Sequence, residues 1–189
     1  YIQVKEKVNS IILDLTSIKE GKGMIVSRII SHEPNEITHV FNRPKNKLQI
    51  KKRYNKHHNL FFRIYYTRIP AHRLIISKTK YGRRSFFADN WPDRGHNWIP
   101  CHDDPADKAT VEFRISAPEH YQVIANGIQV EETSIGNGLR RTHWKEDTPI
   151  STKVMVIGVA DFAVNLSGVV NGCIPVYSWV YPEDRNNGF

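Results

Sequence analysis

Histidines and acidic residues able to handle a proton or a metal gather at three places in this 189-residue sequence. His32-Glu33-Pro34-Asn35-Glu36 begins like the H-E-x-x-H zinc helix, where two histidines four residues apart share one helical face. Its fifth position is Glu36, however, and Pro34 breaks a helix interior, so the segment reads as a polar loop between strands. His57-His58 stands among Lys51, Lys52, Arg53 and Lys56 with no carboxylate nearby and reads as a solvated hairpin tip. His96, His102, Asp103, Asp104 and Asp107 are the densest set, suited to a metal or an acid–base pair. Asp103-Asp104-Pro105 equally supplies turn chemistry, side chains capping backbone N–H groups ahead of Lys108, and the turn is the favoured reading. Cys101 lies near His96 and His102 in sequence, the composition of a base-activated thiol, but adjacency in sequence does not establish geometry. No G-x-S-x-G, phosphate-binding loop or dinucleotide fingerprint occurs.

Charge raises a different chemistry. The formal net charge is +8. Residues 1–85 hold 19 Lys/Arg against 5 Asp/Glu, whereas 86–189 hold 8 against 14. The basic run from Arg43 through Lys45, Lys47, Lys51, Lys52 and Arg53 to Lys56, with Phe61-Phe62 and Tyr65-Tyr66 following, is the best nucleic-acid feature. Alternation argues against that use, because Leu48 and Ile50 point one way while Lys47, Gln49 and Lys51 point the other, as in a strand with one wet face. Nucleic acid is therefore not the expected partner.

The elements that must position these residues are strands. Ser10–Leu15, Gly23–Ile30, Lys47–Ile50 and Leu60–Tyr66 are short, rich in β-branched and aromatic residues, and separated by turn formers. Ala109–Ser116 alternates strictly, with Val111, Phe113 and Ile115 on one face. Tyr121–Ala125 runs into Asn126-Gly127, a two-residue hairpin signal, and Ile128–Glu131 leads back out. Arg140–Lys145, Lys153–Val159 and Pro175–Tyr181 complete the set. Residues 85–108, with Trp91, Pro92, Gly95, Trp98, Pro100 and Pro105, are expected as an ordered loop. No amphipathic helix longer than three turns is evident. With 40% hydrophobic and 24% charged residues, the chain has the composition of one ordered, all-β domain spanning 1–189. No stretch has the roughly 18 apolar residues of a membrane-spanning helix. Cys101 and Cys173 allow at most one disulfide and no thiolate zinc site. Opening inside a strand pattern without Met, the sequence is expected to be a piece of a longer protein.

The segment Phe86-Phe87-Ala88-Asp89-Asn90-Trp91-Pro92-Asp93-Arg94-Gly95-His96-Asn97-Trp98-Ile99-Pro100-Cys101-His102-Asp103-Asp104-Pro105-Ala106-Asp107-Lys108-Ala109-Thr110-Val111-Glu112-Phe113 resembles the N-terminal domain of zinc aminopeptidases of the aminopeptidase N and leukotriene hydrolase family. That family reads aromatic-PC-x-D-x-P-x-x-K-A-T-aromatic there, followed by a strand, a Pro and an S-N-G turn, matched here by Pro118 and Ala125-Asn126-Gly127. Thr148–Phe162 is similar to the family strand ending in G-x-f, and Ile11-Ile12-Leu13-Asp14-Leu15 to its I-x-L-D strand.

The resemblance implies a saddle-shaped, mainly antiparallel, β-sandwich-like N-terminal domain of bacterial type, roofing the cleft of a thermolysin-like catalytic domain that follows it. The family's zinc helix, H-E-x-x-H-x18-E, and its substrate strand, G-x-M-E-N, belong to that following domain. No catalytic or metal-binding residue is therefore expected in this chain, which alone should be inactive, with zinc held elsewhere in the parent enzyme. The N-terminal domain lends a polar side chain, commonly Glu or Gln ten residues before the PC cysteine, to hold the peptide's free amine. Counting back from Cys101 gives Trp91, a departure whose face offers only a cation–π contact. Asp89, Asn90 and Trp91 together are the expected substrate-binding segment. Pro100, Cys101, Asp103, Pro105, Lys108, Asn126 and Gly127 are expected to be structural. The partners implied are the following catalytic domain and a peptide substrate. The Asn-Trp-Pro-Asp-Arg loop type, frequent in exported bacterial relatives, suggests an extracytoplasmic location. An interaction module of a non-catalytic relative is the alternative within the same scaffold.

Overall fold

The computed structural model describes residues 2–31, 39–42, 45–51, 53–55 and 59–189. The His32–Glu36 segment and His57-His58 lie outside them, as do Arg43, Lys52 and Lys56 of the basic run. The chain forms two compact units. The first comprises Tyr1–Leu74, Asp89–Ala109 and Ile150–Val154, and the second Ile75–Ala88, Thr110–Pro149 and Met155–Phe189.

The first unit contains β1 (Ile2–Gln3), β2 (Ile11–Asp14), β3 (Ile25–Ser31), β4 (His39–Asn42), β5 (Lys47–Ile50), β6 (Asn59–Leu60) and β7 (Phe62–Thr67). β5 lies between β2 and β4, while β3 pairs with β7 and β1 with β6, all antiparallel. The alternation of β5 works as its side chains dictate: Leu48 and Ile50 are fully buried, and Lys47 pairs with Asp14 directly across the ladder. Leu13, Leu15, Met24 and Ile29 are buried in the same unit. Val4, Tyr54 and Leu60 form a smaller core with Ile2, Val8, Ile11 and Phe62 around them.

The second unit holds β8 (Leu74–Lys78), β9 (Arg84–Ala88), β10 (Lys108–Pro118), β11 (Gln122–Ala125), β12 (Ile128–Gly136), β13 (Leu139–Ser151), β14 (Ile157–Ala160), β15 (Ala163–Val170) and β16 (Ile174–Val180), except that Leu74, Lys108, Ala109, Ile150 and Ser151 at the strand ends belong to the first unit. One sheet has the order β11-β14-β9-β8 and another β10-β13-β12, with β15 and β16 forming a hairpin. Val111, Phe113 and Ile115 of β10 do share the more buried face. Ala117, Val123, Trp144 and Val159 make the core, with Phe86, Phe113 and Tyr121 packed against it. The Trp144 indole N–H donates to the Val123 carbonyl at 3.0 Å, so the largest core side chain leaves no polar atom stranded. A four-residue helix, α1 (Arg185–Gly188), follows β16.

Three expectations are corrected. Asn126-Gly127 does not close a hairpin: β11 pairs with β14, and β12 with β13, so the turn hands the chain from one sheet to another. The Asn126 side chain accepts the Val156 N–H at 2.7 Å. Gly127 sits at φ +86°, where a Cβ would stand 1.9 Å from the Lys145 carbonyl oxygen. The loop expected over 85–108 begins later, because Arg84–Ala88 is a strand, with Phe86 and Phe87 opposite Val159 and Gly158 of β14. The strand expected from Lys153 starts at Ile157, after a 3₁₀ turn at Thr152–Val154.

Candidate functional site

Residues 89–107 are folded on an internal frame contained within the first unit. Asn90 is 1% exposed; its Oδ1 accepts the Trp98 indole N–H at 2.8 Å and its Nδ2 donates to the Thr152 carbonyl at 3.0 Å. Its carbonyl accepts the Arg94 N–H at 2.9 Å, leading into a short 3₁₀ turn at Gly95–Asn97. Gly95 is buried there, where an added Cβ would lie 3.3 Å from Asp103 Oδ1, 3.5 Å from Thr152 and 3.6 Å from the Asn90 amide.

Asp103, its side chain 4% exposed, ties the loop together. Its Oδ2 accepts the His96 N–H at 3.0 Å and lies 2.6 Å from His96 Nδ1, and its Oδ1 accepts the Thr152 hydroxyl at 2.7 Å. Burial alone would raise the Asp103 pKa. The bonds from His96 and Thr152 outweigh it and hold the carboxyl below its ordinary range. His96 moves the opposite way, raised chiefly by its bond to Asp103 against the cost of burial.

The same loop is zipped to the end of β2. Asp14 and Cys101 exchange backbone hydrogen bonds, 2.6 Å to the Cys101 carbonyl and 3.2 Å to that of Asp14. Asp14 Oδ2 accepts the Asp103 N–H at 3.3 Å. Cys101 is a free thiol, as is Cys173, and burial pushes its pKa strongly upward. A partly covered thiol held protonated is a poor nucleophile. Asp104 accepts the Ala106 N–H at 2.9 Å across Pro105, the Asx turn expected from these residues. His102 pairs with Asp107 at 3.2 Å on the surface, and Lys108 is exposed where β10 begins.

The three residues expected to meet substrate take different positions. Asp89 is half-exposed and bonded to Arg73, through Nη1 at 3.0 Å and through its own N–H to the Arg73 carbonyl at 2.7 Å. Asn90 faces inward, as described. Trp91 is 62% exposed, is joined to Pro92 by a cis peptide bond, and carries the Lys153 ammonium 4.8 Å from its ring centroid. Sequence reasoning missed Arg73 and Thr152 as partners of this segment, and nothing local to either residue announces its role. Asp14 was visible as the end of the I-x-L-D strand, but not as the loop's anchor.

A catalytic zinc takes three converging side-chain ligands. Among the described residues no three His, Cys, Asp or Glu side chains are so grouped, and His96 and Asp103 are committed to each other. Of the basic run, Lys47 is spent on Asp14 and the Arg53 guanidinium donates to Asn9 at 3.3 Å. No helix among the described residues is long and apolar enough to cross a membrane.

Known proteins are similar to this chain in sequence or in fold. Human glutamyl aminopeptidase is 28% identical over 98 residues, covering 52% of this chain and 10% of that protein. Aminopeptidase A of Gloydius brevicauda is 30% identical over 110 residues, 58% and 11% of the two chains. The crystal structure of the M1 zinc metallopeptidase from Deinococcus radiodurans superposes with a TM-score of 0.75 at 20% identity, over 94% of this chain and 40% of that one. A mutant of that enzyme bound to a Tyr-Ser-Ala substrate gives 0.75 at 20% identity, over 89% and 38%. The chain thus spans about a tenth of the length of these curated relatives and about two fifths of these solved chains. The mainly antiparallel β fold is theirs. Residues 1–154 match the Peptidase M1 N-terminal domain, and this chain belongs to that family.

Proposed function

We propose that this chain is the N-terminal domain of a zinc aminopeptidase that releases N-terminal amino acids from peptides. In this reading it roofs the cleft of a catalytic domain and helps bind the peptide's amine through Asp89 and Trp91. Zinc and the general base come from polypeptide outside residues 1–189. The observation that carries the reading is the way the 89–91 segment is built. Asn90 is fastened from beneath to Trp98 and Thr152, so that its neighbours, half-exposed Asp89 and exposed Trp91, stand on a fixed frame. The Asp89 carboxylate, shared with Arg73, suits an ammonium group by charge, and the Trp91 ring, which carries the Lys153 ammonium, suits one by its ring quadrupole. Preorganisation of this kind lowers the entropy cost of binding.

The test uses the longer protein and amino-acid anilides. Asp89→Ala and Trp91→Ala are each expected to raise KM about tenfold, the worth of one charge-assisted contact, with less change in kcat. The 189-residue chain alone should release no chromophore, with or without added zinc. Turnover by that chain, or wild-type KM in both variants, overturns the reading.

A further inference from the structure

Beside Asp89 lies a pocket of about 430 Å³ lined by His72, Arg73, Asp93, Arg94, His96 and Asn97, within the size range of small-ligand sites. Its wall is made by a strained turn. The Leu74 N–H donates to the His72 carbonyl at 2.9 Å, closing a three-residue turn around Arg73, whose φ of +70° is unusual for a residue with a side chain. Strain of this kind persists where the surroundings over-determine it. Here the Arg73 guanidinium and carbonyl are both fastened to Asp89.

The lining is rich in donors. Arg73 gives Nη1 to Asp89, which leaves the rest of its five-donor fork. Arg94 and His72 make no ion pair among the described residues. His96 has Nδ1 on Asp103, and its raised pKa favours a proton on Nε2 as well. Asp93 is the single carboxylate in the lining, against two guanidiniums and two imidazoles. Asn97 is turned away from ligand duty, its amide donating to the Arg94 carbonyl at 2.9 Å.

We propose that this pocket binds a carboxylate of the substrate peptide, with Arg94 and His72 as the specificity-determining residues and Arg73 bridging it to Asp89. The inference rests on the aminopeptidase reading, because it makes the pocket a subsite next to the amine-binding segment.

In the longer protein, kcat/KM is compared for Glu-Ala-amide and Gln-Ala-amide, which lack a terminal carboxylate, and for Gln-Ala, which has one. Either the Glu-over-Gln ratio or the acid-over-amide ratio exceeds one, identifying a side chain or a C-terminus as the source. Arg94→Gln lowers that ratio at least about tenfold, the order set by one hydrogen bond to a charge, and Arg94→Lys restores part of it. Ratios equal to one in the wild type, or unchanged in Arg94→Gln, overturn the inference while leaving aminopeptidase activity standing. Should no peptide be cleaved, the aminopeptidase reading falls. Calorimetric affinity for the same three peptides then decides the pocket by the same ratios.

Discussion

Asp103 accepts two hydrogen bonds from one residue, His96, through the backbone N–H at 3.0 Å and through Nδ1 at 2.6 Å. The double attachment folds residues 96–103 back on themselves, while the other Asp103 oxygen reaches Thr152.

This pair makes stability depend on pH with a defined sign. His96 has a raised folded pKa, so its contribution is complete below its ordinary value of about 6.5 and is lost as pH rises through the folded value. Asp103 has a lowered folded pKa, so its contribution is complete above about 3.9 and is lost as pH falls through the folded value. The destabilisation by His96→Gln, measured in urea, should therefore be greatest between about pH 4 and 6.5, at roughly 2 kcal/mol, and shrink on either side. A penalty independent of pH would refute the coupling.

Asn90→Ala removes the acceptor of the Trp98 indole and the donor to the Thr152 carbonyl. Both partners are in the interior of the loop, so a loss of about 2–3 kcal/mol is expected, with a changed Trp98 fluorescence maximum. Wild-type stability in this variant would mean that Asn90 is not the brace.

Two glycines separate conformation from contact. Gly127 and Gly138 both have positive φ, but a Cβ meets the Lys145 carbonyl at 1.9 Å in the first case and nothing within 4 Å in the second. Gly138→Ala should cost about 1 kcal/mol from backbone strain alone. Gly127→Ala should cost at least about 3 kcal/mol or prevent folding. Equal melting temperatures would contradict the close approach.

The two thiols should differ in reactivity. Cys173 is exposed, while Cys101 is partly covered and its thiol is held protonated by burial. With a thiol reagent at pH 8, one equivalent should react quickly and the second only on unfolding. Cys173→Ser should abolish the fast phase; its survival would place the reactive sulfur at Cys101.

Strand character was written locally. The alternation in Lys47–Ile50 and in Val111–Ile115 fixes which side chains go inward whatever the strands pair with, because side-chain direction has a period of two. The turn at Asp104-Pro105 was equally local, since an Asx side chain needs only the backbone two residues on. Pairing was not local. The same Asn126-Gly127 signal that closes a hairpin elsewhere here joins two sheets, and the choice was made by β14 and β13, which lie later in the chain. The 89–107 loop shows the limit most clearly. Its residues were visible as a group, but Arg73, Asp14 and Thr152, which fasten Asp89, Cys101 and Asp103, come from positions 16 to 87 residues away. A hydrogen bond across that separation depends on where the sheets bring the chain, which no local spacing records.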